Sequence, residues 1–468
     1  MNNIIKQISF SVFANIFSAV SSVLMILVLP KVMSLEDYGI WQLFIFYFSY
    51  VGFFHFGLID GIYLRYGGSY YSELDRKIFG GQFYLLIFLL LSEFVLINIF
   101  LFFHTISDHN VLFVIRVASI GAIFYIVLAF VNFIFQLSNK IKEYARNVVL
   151  VRAITLVSIL ICVILKQTQC EKIICITLIS DFLVMTFGLY SIRDLIFAEK
   201  DCLTHIISEA WENISAGSKL MLSNIAGMLV LGIIRFGISQ GWDIVTFGKV
   251  SLSLSISNFL MVFISAVSVV LFPVLKRIDP NKLAEIYVLL RRFLSYFLLA
   301  ILLIYYPLKL ILIYWLPKYG DSLIYMGILL PICIFESKMQ MLINTYLKSL
   351  RQEALMVKIN FISVIFALIT TYFTVVVMHN LQYAILAIVV NFAFRLLIAE
   401  YFVEKLLLIN IRMDSLEELL VVFGFIGINM IDNCYSFYIY LCIYVIYAVV
   451  NRKYIKDTMN KLKCTFIK

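Results

Sequence analysis

Several ionisable residues of this chain sit where nearly every neighbour is apolar. Glu93 lies near the middle of one such stretch, Glu336 and Lys338 share the segment FESKMQM, and Arg395 falls within NFAFRLLIAE. Arg116, Arg235 and Lys249 lie nearer the ends of their stretches, and Asp181 sits in the outer half of another. A guanidinium in such surroundings stays charged and donates two hydrogen bonds at once, which suits a diphosphate. A carboxylate there can take up a proton. A charge at the bilayer centre costs about 2.5–3.5 kcal/mol on insertion scales, so it faces a partner or a wet cavity. Two readings stand for Arg395 and Glu93: an interhelical ion pair, or a cationic cleft with a protonatable acid. Arg116, Arg235 and Lys249 are either cleft residues or long side chains reaching for the membrane surface. Glu336 and Lys338 are two apart, so a helix turns them to different faces and each needs a partner elsewhere. His55 competes between a hydrogen-bonded structural role and a proton relay, and Asp60 reads as a solvated helix-end acid.

Catalytic constellations do not emerge. The sequence has no Walker loop. Its carboxylates and histidines lie on distant segments without metal-ligand spacing. Its eight cysteines are scattered without a C-x-x-C pair, so neither a metal site nor a disulfide framework follows. We therefore expect no enzyme activity and no cofactor, beyond a coupling proton or sodium ion.

The elements that must position these charges are membrane helices. Hydrophobic residues make up 63% of the chain and charged ones 14%, against about 45–50% and 25% in soluble domains. Apolar runs predict spans near 8–29, 40–61, 78–103, 111–136, 146–165, 173–195, 214–237, 245–273, 291–315, 321–347, 355–378 and 381–404. Shorter candidates follow at 416–431 and 434–451; the first, opening on Glu417 and Glu418, reads as a span or a re-entrant hairpin. The first run is too long for a signal peptide and lacks a cleavage site. Basic residues such as Arg65, Arg76, Lys77, Lys140, Lys200, Lys276, Arg277, Lys348 and Lys405 fill alternate loops. This places both termini in the cytoplasm and accounts for the net charge of +9 without invoking nucleic acid. Trp41, Trp242 and Trp315 fall near outer span ends, where an aromatic belt is expected.

The stretch AEKDCLTHIISEAWENISAG predicts an amphipathic connector over 198–213, between six-helix bundles at 1–197 and 214–405. A helical hairpin at 416–451 and a basic tail at 452–468 follow. The bundles echo one another: PKVMSLEDYGIWQLF and RFGISQGWDIVTFGKVS each carry a serine, an acid and an aromatic-glycine pair, Tyr38-Gly39 and Phe247-Gly248. A parallel repeat of this kind predicts a site between the halves.

The long motifs ILVLPKVMSLEDYGIWQLF and VGFFHFGLIDGIYLRYGGSYY resemble the N-terminal third of bacterial polysaccharide flippases of the Wzx type. These belong to the multidrug/oligosaccharidyl-lipid/polysaccharide exporter (MOP) superfamily. The segment from GSKLMLSNIAGMLVL to SAVSVVLFPVLKR is similar to the seventh and eighth helices of the same group, and the resemblance spans roughly residues 5 to 405. It implies an all-α polytopic membrane protein with two six-helix bundles around a central cavity, which here carries an additional C-terminal hairpin. It also implies the cargo, an oligosaccharide on undecaprenyl diphosphate, moved across the bacterial cytoplasmic membrane for O-antigen or capsule biosynthesis, with membrane lipids and other polysaccharide assembly proteins as partners. A substrate-binding role carries to Arg235 and Lys249 through the second motif; Arg116, Lys338 and Arg395 join them by position, with Glu93 and Glu336 as coupling acids. The arginines that peptidoglycan lipid flippases show in their first helix have no counterpart between Lys6 and Lys31. A cation-coupled multidrug exporter, a membrane polymerase or ligase acting on lipid-linked glycans, and a non-transporting scaffold are the competing functions.

FGLIDGIYLRYGG, residues 56–68, joins these threads. Gly57 and Gly61 are four apart and share a helix face that another backbone can approach. Arg65 beyond them is either an ordinary positive-inside residue or a first contact for the diphosphate.

Overall fold

The computed structural model describes residues 2–104, 108–199, 201–258, 261, 282–431, 433 and 435–452. Most of the second half of the eighth expected span, Lys200, Lys276, Arg277 and the tail from Lys453 lie outside the described residues. Among the described residues the regular structure is helical, with no strand. Ten helices there are long and apolar enough to cross a membrane, and a bent pair makes an eleventh span. The chain divides into two units, Met1–Ile225 and Ala226–Lys468.

The first unit comprises α1 (Asn2–Val32), α2 (Leu35–Phe48), α3 (Leu58–Tyr66), α4 (Arg76–Phe103), α5 (His109–Leu137), α6 (Ile141–Ile164), α7 (Cys170–Ser191), the single turn α8 (Arg193–Ile196) and the start of α9 (Leu203–Gly241). Polar side chains fix where helices begin: Ser34 caps α2, Asp75 caps α4 and Asp108 caps α5, each accepting from backbone N–H groups of the first turn. α5 is central, packing against α2, α3, α4, α6 and α7. The expected single span at 40–61 is broken by 52° between Phe53 and Leu58. Phe56 and Gly57 take φ of 50° and 86°, a left-handed step that no α-helix passes through. The expected connector at 198–213 is not separate either, because α9 runs unbroken for 39 residues from Leu203. Trp41, expected at the membrane surface, is instead buried on α2, with the Phe44 ring centre 5.8 Å away.

The second unit continues α9 into α10 (244–258), α11 (Leu283–Ile301), α12 (Tyr305–Trp315), α13 (Leu323–Leu329), α14 (Ile332–Lys338), α15 (Asn344–Ser349), α16 (Glu353–Thr371), α17 (Leu381–Leu407), α18 (Arg412–Ile431) and α19 (Ser436–Val450). α17 packs on α13, α14 and α16, and the hairpin α18–α19 rests on α11 and α13. Two stretches widen into π-helix, Met339–Ile343 and Tyr372–Val377. The tenth span is therefore three helical pieces, α13, α14 and α15, with Pro331 at the first joint and the π-turn at the second.

The repeat read in the sequence keeps helical register. Tyr38-Gly39 and Phe247-Gly248 are each the fourth and fifth residues of their helices, and all four are buried. Each helix is opened by a side-chain cap, Ser34 accepting from Asp37 N–H and Asp243 from Thr246 N–H.

Candidate functional site

Three constellations gather the charges of the spans. In the first unit, Arg65 ends α3 and faces α9. Its Nη1 donates to Glu209 Oε1 at 2.7 Å and to Asn213 Oδ1 at 2.8 Å, while Nη2 donates to Glu212 Oε2 at 2.7 Å. The Tyr66 hydroxyl donates to the same Glu209 oxygen. Backbone proximity makes this grip possible. A Cβ on Gly61 would lie 1.8 Å from the Asn213 carbonyl oxygen, and one on Gly217 would lie 2.0 Å from that of Gly57. The glycine face read at 57 and 61 thus has its partner, the first third of α9. His55 Nδ1 accepts from Gly57 N–H at 3.1 Å just before this crossing, holding the bend, and its Nε2 is 4.0 Å from Asp60.

Loops beside this crossing show how local contacts set charge. Burial, then a hydrogen bond to Asp194, raises the Tyr71 phenol well above its usual range. The exposed Asp201 carboxyl is held below its usual range by the Cys202 N–H and then by His205.

In the second unit, Arg395 of α17 donates from Nη1 to Glu336 Oε2 of α14 and from Nε to Asn360 Oδ1 of α16, both at 3.1 Å. Gln340 donates to the other Glu336 oxygen at 3.1 Å. Gly227 leaves room beside this group, since a Cβ there would lie 3.3 Å from Arg395 Nη2. Two residues expected to act separately, a substrate cation and a coupling acid, are one ion pair.

The third constellation was not foreseen as such. Arg291 of α11 grips Glu400 of α17 through two parallel bonds, Nε to Oε1 at 2.7 Å and Nη2 to Oε2 at 3.1 Å. Glu418 of α18 accepts from Arg291 Nη2 at 3.4 Å, from Ser295 at 3.2 Å, and from Lys338 of α14. Ser415 bridges Arg291 and Glu400. Two cations and two carboxylates are thereby buried together, none more than 3% exposed. Lys338 was expected on an anion path; its ammonium is fully buried and matched by Glu418 instead, because its helix face points to α11 and α18. Arg291 marks the expected start of a span yet lies nine residues into α11. The signal was there in LLRRFLSYFLL and in LEELLVVFGF, where charges stand inside apolar runs that would otherwise be membrane helix.

The remaining expected residues stand apart. Arg235 Nη2 donates to Ser251 at 3.1 Å and its guanidinium carbon is 5.5 Å from the Phe247 ring centre, so it ties α9 to α10. Lys249 is half-buried on α10. Arg116 is exposed on α5, without an ion-pair partner among the described residues. Glu93 is half-buried in α4 and its Oε2 is buried without a hydrogen bond. Among the described residues no group of three or more histidine, cysteine or acidic side chains could hold a metal.

Comparison with solved structures places this architecture. A lipid II flippase, MurJ, in an inward closed conformation superposes with a TM-score of 0.63 at 15% identity, over 96% of this chain and 100% of that one. An inward-facing multidrug resistance MATE transporter of the MOP superfamily gives 0.63 at 13% identity, over 84% and 98%. The chain has the fold of the MOP transporters. A further MATE transporter, solved with MaL6, gives 0.57 at 13% identity over 86% and 95%. No protein-family model matches the chain, and no curated protein matches it in sequence. The all-α, multi-pass character expected from composition is thus that of the MOP fold, and the neighbours sharing it are transporters and flippases.

Proposed function

We propose that this chain is a flippase that moves undecaprenyl-diphosphate-linked oligosaccharide repeat units across the bacterial cytoplasmic membrane. It works by alternating access, driven by proton or sodium entry, and serves O-antigen or capsule biosynthesis. The observation that carries this reading is the extent of the fold. The likeness to the lipid II flippase runs over 96% of this chain, against 84% and 86% for the two MATE transporters. A diphosphate head needs cations along a wet path, and Arg65, Arg116, Arg235, Lys249 and Arg395 are the groups assigned to it. Glu93 and Glu336 are the acids assigned to coupling. The polyprenyl tail can stay in lipid throughout.

Deletion of the gene in its host tests the reading. The expected result is loss of surface polysaccharide with lipid-linked repeat units accumulating on the cytoplasmic side. Intact surface glycan with heightened sensitivity to cationic drugs would replace this reading with the multidrug exporter.

A further inference from the structure

Packing alone does not account for the buried quartet. Apolar side chains of similar size commonly hold such a place at least as stably as buried ions do, and register-setting or switching is the best-attested use of buried charge. The two carboxylates are served unequally. Both oxygens of Glu400 accept hydrogen bonds, from Arg291 and Ser415. In Glu418 the donors Lys338, Arg291 and Ser295 all converge on Oε2, and Oε1 is buried with none. Glu418 is also the one member on α18, so its bonds to α11 and α14 tie the C-terminal hairpin to the rest of its unit.

We propose that the Lys338–Glu418 pair is a proton-exchange site that latches α18 to α11 and α14, and that one proton taken up by Glu418 releases it. A hydronium ion gives its proton to Oε1, forming an O–H bond and leaving water. Glu418 becomes neutral while Lys338 keeps its proton and loses its counter-charge. The ammonium then faces Arg291 with only Glu400 to balance both, and in a medium of low dielectric that imbalance drives the helices apart. A cleft of about 340 Å³ beside α17 and α18, lined by Glu400, Tyr401, Glu404, Arg412, Ser415 and Leu416 among others, opens onto Glu400 and Ser415, which share Arg291 with Glu418. The other groups around Glu418 are accounted for. Arg291 and Ser295 face it from α11, Lys338 from α14 and Tyr447 from α19, while Glu400 of α17 shares Arg291 with it. On α18 itself Asp414 pairs with Arg292 and Glu417 with Asn451.

The test is amide hydrogen exchange in α18, on the full chain in nanodiscs, corrected for the intrinsic pH dependence of exchange. Opening linked to one proton should rise as pH falls, by at most about tenfold per unit, the limiting slope of a single linked site. In Glu418→Gln, which mimics the neutral acid, exchange should be fast and flat with pH. A flat profile in the unaltered chain, or a slope that survives in Glu418→Gln, overturns the latch. If that variant does not fold, infrared difference spectra of the unaltered chain supply the answer. A protonated-carboxyl band should grow as pH falls and shift in Glu418→Asp, and a band unmoved by that change overturns the proposal. Neither readout involves a transported substrate, so the latch stands or falls independently of the flippase reading.

Discussion

Arg395 and Glu336 are joined at 3.1 Å, and their side chains are 6% and 20% exposed. Breaking a pair so enclosed costs more than breaking a surface bridge, because removing one partner strands the other charge. That loss typically costs about 3–5 kcal/mol. Arg395→Ala should lower the melting temperature of the purified protein and abolish export while the chain still inserts in the membrane. The double variant Arg395→Met, Glu336→Leu separates structure from transport. It should regain most of the lost stability and none of the export, measured by surface polysaccharide in a deletion strain. Restored export would make the pair architecture alone.

The crossing of α3 and α9 admits no side chain at Gly57, Gly61 or Gly217. Gly61→Ala would push its methyl group against the Asn213 carbonyl, which is backbone and cannot swing aside. We expect destabilisation of about 1–3 kcal/mol or more, seen as a lower yield and an earlier thermal transition. Gly427→Ala provides the contrast, since a Cβ there meets nothing within 4 Å. Its transition should hold or rise slightly, since alanine is favoured over glycine inside a helix by about 1 kcal/mol.

Arg65 is held by two glutamates whose side chains are 12% and 59% exposed. Arg65 is itself 29% exposed and its Glu212 pair lies at the surface, where a pair contributes about 0–1 kcal/mol, so Arg65→Ala should leave the amount of membrane protein near normal. Capture of the lipid-linked substrate should fall, measured by crosslinking in inverted vesicles. Normal capture would return Arg65 to a helix-crossing role.

Coupling is tested by reconstituted transport across an imposed pH gradient. Glu93→Gln should remove most of the gradient-driven rate and spare downhill exchange, since the change deletes a titratable group without altering size. Should Glu93→Gln and Glu336→Gln both retain the driven rate, the coupling acid lies elsewhere.

Much of the architecture is legible in the residues because hydropathy alone decides which segments leave water. α4 begins at Arg76 against an expected 78, and α17 ends at Leu407 against 404. What hydropathy cannot see is backbone geometry inside a span. The break at Phe56-Gly57 lies within an apolar run and is set by two φ angles, and α9 runs on through the polar 203–213, where Arg65 of α3 bonds Glu209, Glu212 and Asn213. The site was legible in kind and not in pairing. Arg395, Glu336 and Lys338 all stand out as charges in apolar sequence, yet their partners lie 59 and 80 residues away. Glu418 escaped because hydropathy starts that span only at 416, whereas α18 begins at Arg412 and carries Glu418 as its seventh residue.

The π-turn at Met339–Ile343 carries one residue more than an α-helix would need to cover the same rise. It follows directly on the heptad-length piece that presents Glu336 to one neighbour and Lys338 to another. Deleting Gln340 would shorten the turn to ordinary pitch and rotate everything beyond it by about 100° about the helix axis. Thr345, whose hydroxyl now reaches the Gln340 carbonyl at 3.1 Å, would then point away from the direction it holds today. That extra residue works as a phase shifter. It lets a single membrane-crossing rod be tuned twice, once for the charges before it and once for the apolar faces after it, so changes in one half need not disturb the other.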